Sequence, residues 1–176
     1  MKNRLLHILF IVLLSIFLTS FTNSIYHSSG YNYSLFKIER SKDSNEIIYD
    51  INITPSGNLN PDNPINVYWI KHTHNKKIEP LTWIQKKFAY GLNFLSIKET
   101  EVKFRFVSYS KRDFVIKKNA KGNYQVFTNS QNKVVIVNRI YIQIDGGTFW
   151  IPNITRVELH ATDLKTGKEV IEIIKI

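Results

Sequence analysis

The chain has 176 residues and a formal net charge of +10, and this length suits one domain with a substantial hydrophobic core. It contains no cysteine, which excludes disulfides, thiolate metal sites, a cysteine nucleophile and lipid attachment through an N-terminal cysteine. The 11 Phe and 9 Tyr, set against few Gly and Pro, favour pleated, half-buried strands over helices.

Residues 1–24 have the order of a secretory signal peptide. Lys2 and Arg4 precede an apolar run over residues 5–18, and mainly small polar residues follow. The run is short for a membrane span, which needs about 20 apolar residues, so we expect cleavage after Ser24 rather than retention as an anchor. Cleavage removes two basic residues and no acidic ones, and the formal charge falls from +10 to +8.

The positive net charge and the predicted export together restrict the classes of molecule that we expect this protein to bind. A basic surface attracts nucleic acid, anionic lipid head groups and acidic glycans, but export disfavours nucleic acid. We therefore expect a periplasmic or secreted protein that has no stable membrane span after cleavage and whose partner, if it has one, is an anionic envelope ligand. The simpler interpretation is a solvated, lysine-rich surface without a dedicated partner. The sequence does not indicate an oligomeric state.

The chain after the signal peptide begins with three predicted strands. Residues 25–32 have no hydrophobic period and are expected to be a flexible leader, so a single β-rich domain should span residues 33–176. Two runs of alternating apolar residues, 33–40 and 45–53, should form a hairpin around a short polar turn. The third strand, 65–72, carries apolar residues on both faces, which predicts that both faces are covered.

One short amphipathic helix is predicted after the third strand. Thr82 and Gln85 fit a capping box, in which each side chain bonds to the backbone N–H of the other residue. Gly91 suits the helix exit. The apolar stripe of this helix consists of Ile84, Phe88 and Leu92. A helix of this kind, inserted between strands, is expected to cover the sheet.

Six further strands are predicted, at residues 101–109, 114–118, 123–128, 134–145, 155–162 and 170–176. In the fourth of these, Ile140, Ile142 and Ile144 alternate with polar residues, and Asn138 marks a bend. Gly146 and Gly147 then break the strand, because only glycine takes positive φ without penalty. About nine strands and one helix indicate an all-β fold, either an antiparallel β-barrel or a curled sandwich with a short covering helix.

Five blocks of the sequence carry a family resemblance: 36–42, 48–50, 67–70, 81–92 and 143–147. They resemble a bacterial family of domains of unknown function, DUF family 4833. The resemblance covers roughly residues 33–174, a size that fits one domain. It implies an exported envelope protein. It implies no activity and provides no catalytic residues.

A polar face on neighbouring strands is the first candidate binding site. It consists of Arg105, Tyr109, Arg139, Tyr141 and Gln143, which alternate with apolar residues. If this face points into a barrel, the interior is cationic and suits an anionic small molecule, a lipid head group or a glycan. If it points outward, these are ordinary solvated positions, and the strand period alone does not choose between the two faces.

Two residues near the glycine turn extend the candidate site. Asp145 could act as a general base or bind a sugar hydroxyl, although aspartate commonly caps a tight turn through nearby backbone N–H groups. Trp150 could stack on a ligand, although a buried tryptophan is more often part of the core, and the same ambiguity holds for Trp69 and Trp83.

No metal site, cofactor or catalytic residue is predicted. His72 and His74 could share a metal, but zinc needs three or four ligands. The strand carboxylates Glu39, Asp50 and Glu158 could pair with one another or with Asp145, but their separation is not given by the sequence. No serine fits a nucleophile elbow.

Three functional hypotheses remain. The first is a non-catalytic binding module for an anionic envelope ligand, the second a structural or protein-interaction component without a small ligand, and the third a glycan or lipid hydrolase. Convergence of Arg105 and Arg139 in a closed cavity would favour the first. A filled interior with a large exposed aromatic patch would favour the second. The third needs two carboxylates, or a histidine and a nucleophile, within hydrogen-bond reach.

Overall fold

The computed structural model describes residues 34–148 and 151–175. Strands make up 65% of this part of the chain, which confirms the predicted fold class. The predicted signal peptide, the predicted leader and Trp150 lie outside the described residues. No helix within the two described ranges has the length and apolar character needed to cross a membrane.

Eleven strands and one α-helix follow each other along the chain. They are β1 (Ser34–Arg40), β2 (Asp43–Ile51), β3 (Ile65–Lys71), β4 (Lys77–Pro80), α1 (Trp83–Phe88), β5 (Leu92–Ile97), β6 (Glu101–Phe106), β7 (Tyr109–Lys118), β8 (Tyr124–Ser130), β9 (Lys133–Gly147), β10 (Pro152–Asp163) and β11 (Glu169–Lys175). The predicted hairpin of the first two strands is present as β1 and β2.

The long strand β9 organises the sheet because it pairs with three other strands. On one edge, residues 133–136 pair antiparallel with β8 and residues 139–142 pair parallel with β1. Its other edge pairs with β10 along most of its length. The change of neighbour falls at Asn138, where the sequence predicts a bend. The parallel pairing of β1 with β9 departs from the antiparallel arrangement expected throughout.

The resulting sheet runs in the order β4-β3-β2-β1-β9-β8-β7-β6-β5, and β10 and β11 branch from β9. It is a single, strongly curled, open half-barrel. The curl brings Phe36 and Tyr49, from β1 and β2, against Phe106 of β6, with ring centroids 6.1 and 5.7 Å apart. All three rings are buried. The interior is therefore filled by apolar side chains from both halves of the sheet.

The predicted alternation in β9 sets which face is interior. Ile140 and Ile144 are buried, and Ile142 packs against the core cluster. The glycines after them take positive φ, 87° at Gly146 and 78° at Gly147, but they do not break the strand as predicted, because β9 continues to Gly147, which pairs with Pro152 of β10. A Cβ on Gly147 would lie 2.4 Å from the backbone nitrogen of Asn153, so this position requires glycine.

Helix α1 begins as predicted but attaches to the sheet differently. The side chain of Thr82 accepts from the Gln85 backbone N–H at 3.3 Å, and the Gln85 side chain accepts from the Thr82 N–H at 3.0 Å. None of the six residues of α1 is buried, and the third member of the predicted stripe, Leu92, lies in β5. The helix is attached instead through Gln85, whose oxygen also accepts from Trp69 Nε1 at 3.3 Å.

Candidate functional site

Four of the predicted ligand-binding residues lie in a row on β9, on the face opposite the core. The Tyr141 hydroxyl donates to Gln143 Oε1 at 3.2 Å, and Gln143 Nε2 donates to Asp145 Oδ1 at 2.7 Å. The Thr155 hydroxyl donates to Asp145 Oδ2 at 2.6 Å. These two hydrogen bonds, first from Thr155 and then from Gln143, lower the pKa of Asp145. The carboxylate therefore links side chains of β9 and β10 instead of capping a turn through backbone N–H groups, and its lowered pKa makes it a poor general base.

Arg139, the fourth residue of the row, ends a chain of ion pairs across β9, β1 and β2. It pairs with Glu39, and Lys37 lies 2.6 Å from both Glu39 and Glu46. Glu46 also lies 3.0 Å from His72. Burial opposes ionisation of Glu39, but hydrogen bonds from Lys37 and Arg139 outweigh it and lower the pKa of Glu39. The positive charge of Arg139 is thus matched within the sheet.

Arg105 and Tyr109 lie in the other half of the sheet. Arg105 pairs with Asp113 of β7, which also lies 2.7 Å from the Lys103 ammonium. Arg105 alternates with buried Phe104 and Phe106, so its side chain points away from the core. Tyr109 packs against the edge of the core cluster. The structure thus places Arg105 and Arg139 on outward faces of different strands, each with a carboxylate partner.

The remaining histidines do not complete a reactive constellation. His160 Nε2 lies 3.0 Å from Glu158, and an Arg139 nitrogen lies 3.3 Å from the same ring nitrogen. Among residues 34–148 and 151–175, no hydroxyl hydrogen-bonds to His160, and no group of three or more His, Asp or Glu side chains could hold a metal ion. Within the described residues, His160 therefore has neither a hydroxyl partner nor a place in a metal site.

The exposed face of α1, which was not predicted as a site from the sequence, is more distinctive. Trp83 and Phe88 on α1 are 65% and 61% exposed, and their ring centroids lie 6.4 Å apart. The Lys87 ammonium lies 5.7 Å from the Trp83 centroid and 5.2 Å from the Phe88 centroid, within cation–π range. Ile84 and Lys86 are also exposed. We call these five residues the aromatic-basic surface.

Both ends of α1 are fixed, which holds this surface in place. The capping box defines the first turn, and Leu81 just before it is buried. At the other end, a Cβ on Gly91 would lie 1.8 Å from the Lys86 carbonyl oxygen. Gly91 has no positive φ, so it is needed for this close approach of the helix and not for a left-handed exit. Neither Lys86 nor Lys87 forms an ion pair with any residue that the structure describes.

The sequence contained one signal for this surface. Only five residues separate the capping residue Gln85 from Gly91, so the helix is too short for an apolar face that covers a sheet. Lys86 and Lys87 lie between the aromatic residues Trp83 and Phe88 in sequence. The i,i+4 spacing of a helix places Lys87 next to Trp83.

The family comparison agrees with the resemblance seen in the sequence. The family described as "Domain of unknown function (DUF4833)" matches residues 36–173, most of the chain. No curated protein and no solved structure matches the chain.

Proposed function

The chain belongs to the DUF4833 family of domains of unknown function, and we propose that it is a non-catalytic envelope protein that docks on anionic lipid surfaces. Docking uses the aromatic-basic surface of α1. The observation that carries this proposal is the pairing of two mostly exposed aromatic rings with two lysines that have no carboxylate partner among the described residues.

The chemistry of an anionic lipid interface matches both parts of the surface. Trp83 and Phe88 can enter the boundary between head groups and acyl chains, where the indole ring keeps its N–H near water. Lys86 and Lys87 remain at the head-group level, and each lysine near an anionic membrane contributes about 1 kcal/mol. One helix with two aromatics and two lysines supports weak, reversible attachment.

The charge of the whole chain supports the same ligand. The chain has 24 basic and 14 acidic residues, and a net positive protein is steered toward a negative surface over roughly a Debye length, about 8–10 Å at physiological salt. Export, as the sequence predicts, would bring the protein to the envelope, where such surfaces occur.

The other hypotheses have less support from the geometry. A cavity for a small anion was expected to use Arg105 and Arg139, but both have carboxylate partners. A hydrolase needs reacting groups within hydrogen-bond reach, but among the described residues no hydroxyl bonds to a histidine, and the neighbouring carboxylates Glu39 and Glu46 share the Lys37 ammonium. A protein partner would also use exposed aromatics, but the two unmatched lysines favour an anionic lipid.

Co-sedimentation with lipid vesicles tests the proposal. The purified protein should bind vesicles that contain phosphatidylglycerol, should bind vesicles of phosphatidylcholine alone much more weakly, and should dissociate as salt is raised. The double variant Lys86→Gln/Lys87→Gln should lose roughly tenfold or more in affinity, at about 1 kcal/mol for each lysine. The double variant Trp83→Ala/Phe88→Ala should also lose binding.

A matched control removes two lysines elsewhere. Lys165 and Lys168 are exposed residues of the turn between β10 and β11, and Lys165→Gln/Lys168→Gln should bind nearly as well as the unmodified protein. If both lysine pairs weaken binding equally, the attraction is non-specific and the proposed surface is wrong. Absence of binding to either vesicle type would favour a protein partner for α1.

A further inference from the structure

A pocket of about 240 Å3 lies beside α1, between β3 and β5. These strands approach each other at the opening of the half-barrel. β4 and β5 are the two ends of the main strand order, and β4 pairs with β3 only from Tyr68 to Lys71. The first residues of β3, 65–67, are therefore left facing β5 across an unfilled gap.

The pocket is open on one side and is lined mainly by apolar side chains, together with Asn63, Asn66 and Lys86. Its apolar lining consists of Ile65, Val67, Leu81, Leu92 and Phe94. Ile65 and Leu81 are buried, whereas Phe94 is 38% exposed. Lys86 of α1 also lines the pocket, and it forms no ion pair with the described residues. A mainly apolar pocket with a few polar groups and one charged group is typical of a site that orients an amphiphilic ligand.

We propose that this pocket binds the alkyl chain of a single-chain anionic amphiphile, whose carboxylate lies on Lys86. The size supports a chain rather than a bulky ligand. The pocket is smaller than the roughly 300–1,000 Å3 of sites for drug-sized molecules, but it is several times the roughly 30 Å3 that one water occupies in the liquid. Its volume therefore accommodates several methylene groups.

This inference deepens the proposed function and rests on it in one respect. Lys86 belongs both to the aromatic-basic surface and to the pocket lining, so a protein docked on a lipid surface would present the pocket mouth to that surface. The lipid surface and the single-chain amphiphile contact different apolar side chains of the protein, however. Vesicle docking uses Trp83 and Phe88, and the pocket uses the residues between β3 and β5.

Titration calorimetry with straight-chain carboxylates tests the pocket. Hexanoate, octanoate and decanoate, each below its micelle concentration, should bind with affinity rising by up to roughly fourfold per methylene until the pocket is full. Nonyltrimethylammonium, with the same nine-carbon chain and the opposite charge, should bind at least tenfold more weakly than decanoate. Lys86→Gln should abolish this preference for the carboxylate. No chain-length dependence, or equal binding of decanoate and nonyltrimethylammonium, would overturn the proposal.

Two variants in the same strand supply the structural control. Phe94→Ala removes the outer wall of the pocket and should weaken decanoate binding about tenfold. Leu95→Ala, at a neighbouring exposed position outside the lining, should leave it unchanged. Val67→Phe fills the pocket and should also weaken binding. If Val67→Phe fails to fold, the comparison of Phe94→Ala with Leu95→Ala still decides, and equal effects at both positions would refute the site.

The two proposals fail in distinguishable ways. Vesicle binding without decanoate binding would reject the pocket and leave the docking function intact. Decanoate binding without vesicle binding would support the pocket and reject the docking function. In the combined case, Trp83→Ala/Phe88→Ala should lose vesicles and keep decanoate, and Phe94→Ala should show the reverse.

Discussion

The guanidinium group of Arg112 in β7 donates two parallel hydrogen bonds to the carboxylate of Glu172 in β11. Nη1 donates to Oε2 at 2.9 Å and Nη2 donates to Oε1 at 2.5 Å. The Ser130 hydroxyl donates to the same carboxylate at 2.5 Å. Among the described strands, β11 has a backbone ladder only with β10. This bidentate ion pair, which we call the Arg112–Glu172 fork, is therefore a main attachment of β11 to the β7–β8 hairpin.

Removing one partner of this fork should destabilise the fold. The side chains of Arg112 and Glu172 are only 14% and 22% exposed, so Glu172→Ala leaves a poorly solvated guanidinium with fewer acceptors. We expect the free energy of unfolding to fall by about 1.5–3 kcal/mol, the range for hydrogen bonds to charged groups. Urea denaturation measures this loss. The more exposed pair of Arg105 and Asp113 is the control, and Arg105→Ala should cost no more than about 1 kcal/mol. Similar losses at the two sites would contradict the assignment.

The same ion pair should make stability depend on pH. The hydrogen bonds from Arg112 lower the pKa of Glu172 from its ordinary value of 4.5, against the opposing effect of burial. A depressed folded pKa adds stability above pH 4.5, and that stability is lost as the pH falls through the folded pKa. The difference in unfolding free energy between the unmodified protein and Glu172→Gln should therefore shrink between neutral pH and about pH 3. A constant difference across this range would show that the carboxylate charge is not responsible.

Asp50 should show the opposite dependence. Its carboxyl group is buried and accepts from the Tyr68 hydroxyl, and burial raises its pKa above the ordinary 3.8, despite the hydrogen bond from Tyr68. Its ionised form thus costs stability above the folded pKa, and that cost disappears on protonation at lower pH. Asp50→Asn keeps an oxygen for Tyr68 to donate to and should raise stability at pH 7. Thermal melts at neutral and acid pH test this, and a lower melting temperature at pH 7 would refute it. Tyr68→Phe removes the donor and should destabilise.

Gly91→Ala should disturb the junction between α1 and β5. The added Cβ would meet the Lys86 backbone carbonyl, which cannot rotate away as a side chain could. We expect a loss of about 1–3 kcal/mol, the cost of an overpacked site, measured by chemical denaturation. Gly122→Ala is the control, because its Cβ would meet no atom within 4 Å and only its φ of 81° opposes the change. A loss at Gly91 no larger than at Gly122 would argue against the close contact.

The sequence predicted the elements that local pattern determines. The alternation around Ile140, the bend at Asn138 and the capping box of Thr82 and Gln85 all depend on neighbours within a few residues. β4 and β5 were missed for local reasons as well. β4 has four residues and ends at Pro80, and the ladder of β5 with β6 shifts register between Phe94 and Ser96, which hides the period of two.

The candidate site was harder to predict because its character depends on distant partners. Alternation shows that Arg139 and Tyr141 share a face, but not that Glu39, a hundred positions earlier, neutralises the arginine. The exposure of Phe88 likewise depends on where α1 attaches to the sheet, and the Gln85 side chain contributes to that attachment by accepting a hydrogen bond from Trp69.

The parallel ladder of β1 with β9, in which Lys37 lies opposite Arg139, also sets an order of events during folding. A polypeptide that emerges amino end first offers the open edge of β1 for about a hundred residues before its partner exists. Loop closure over that distance is slow and leaves strand edges open to wrong pairings. We therefore expect a chaperone to bind the amino-terminal half of the chain and prevent wrong strand pairing until β9 has been synthesised.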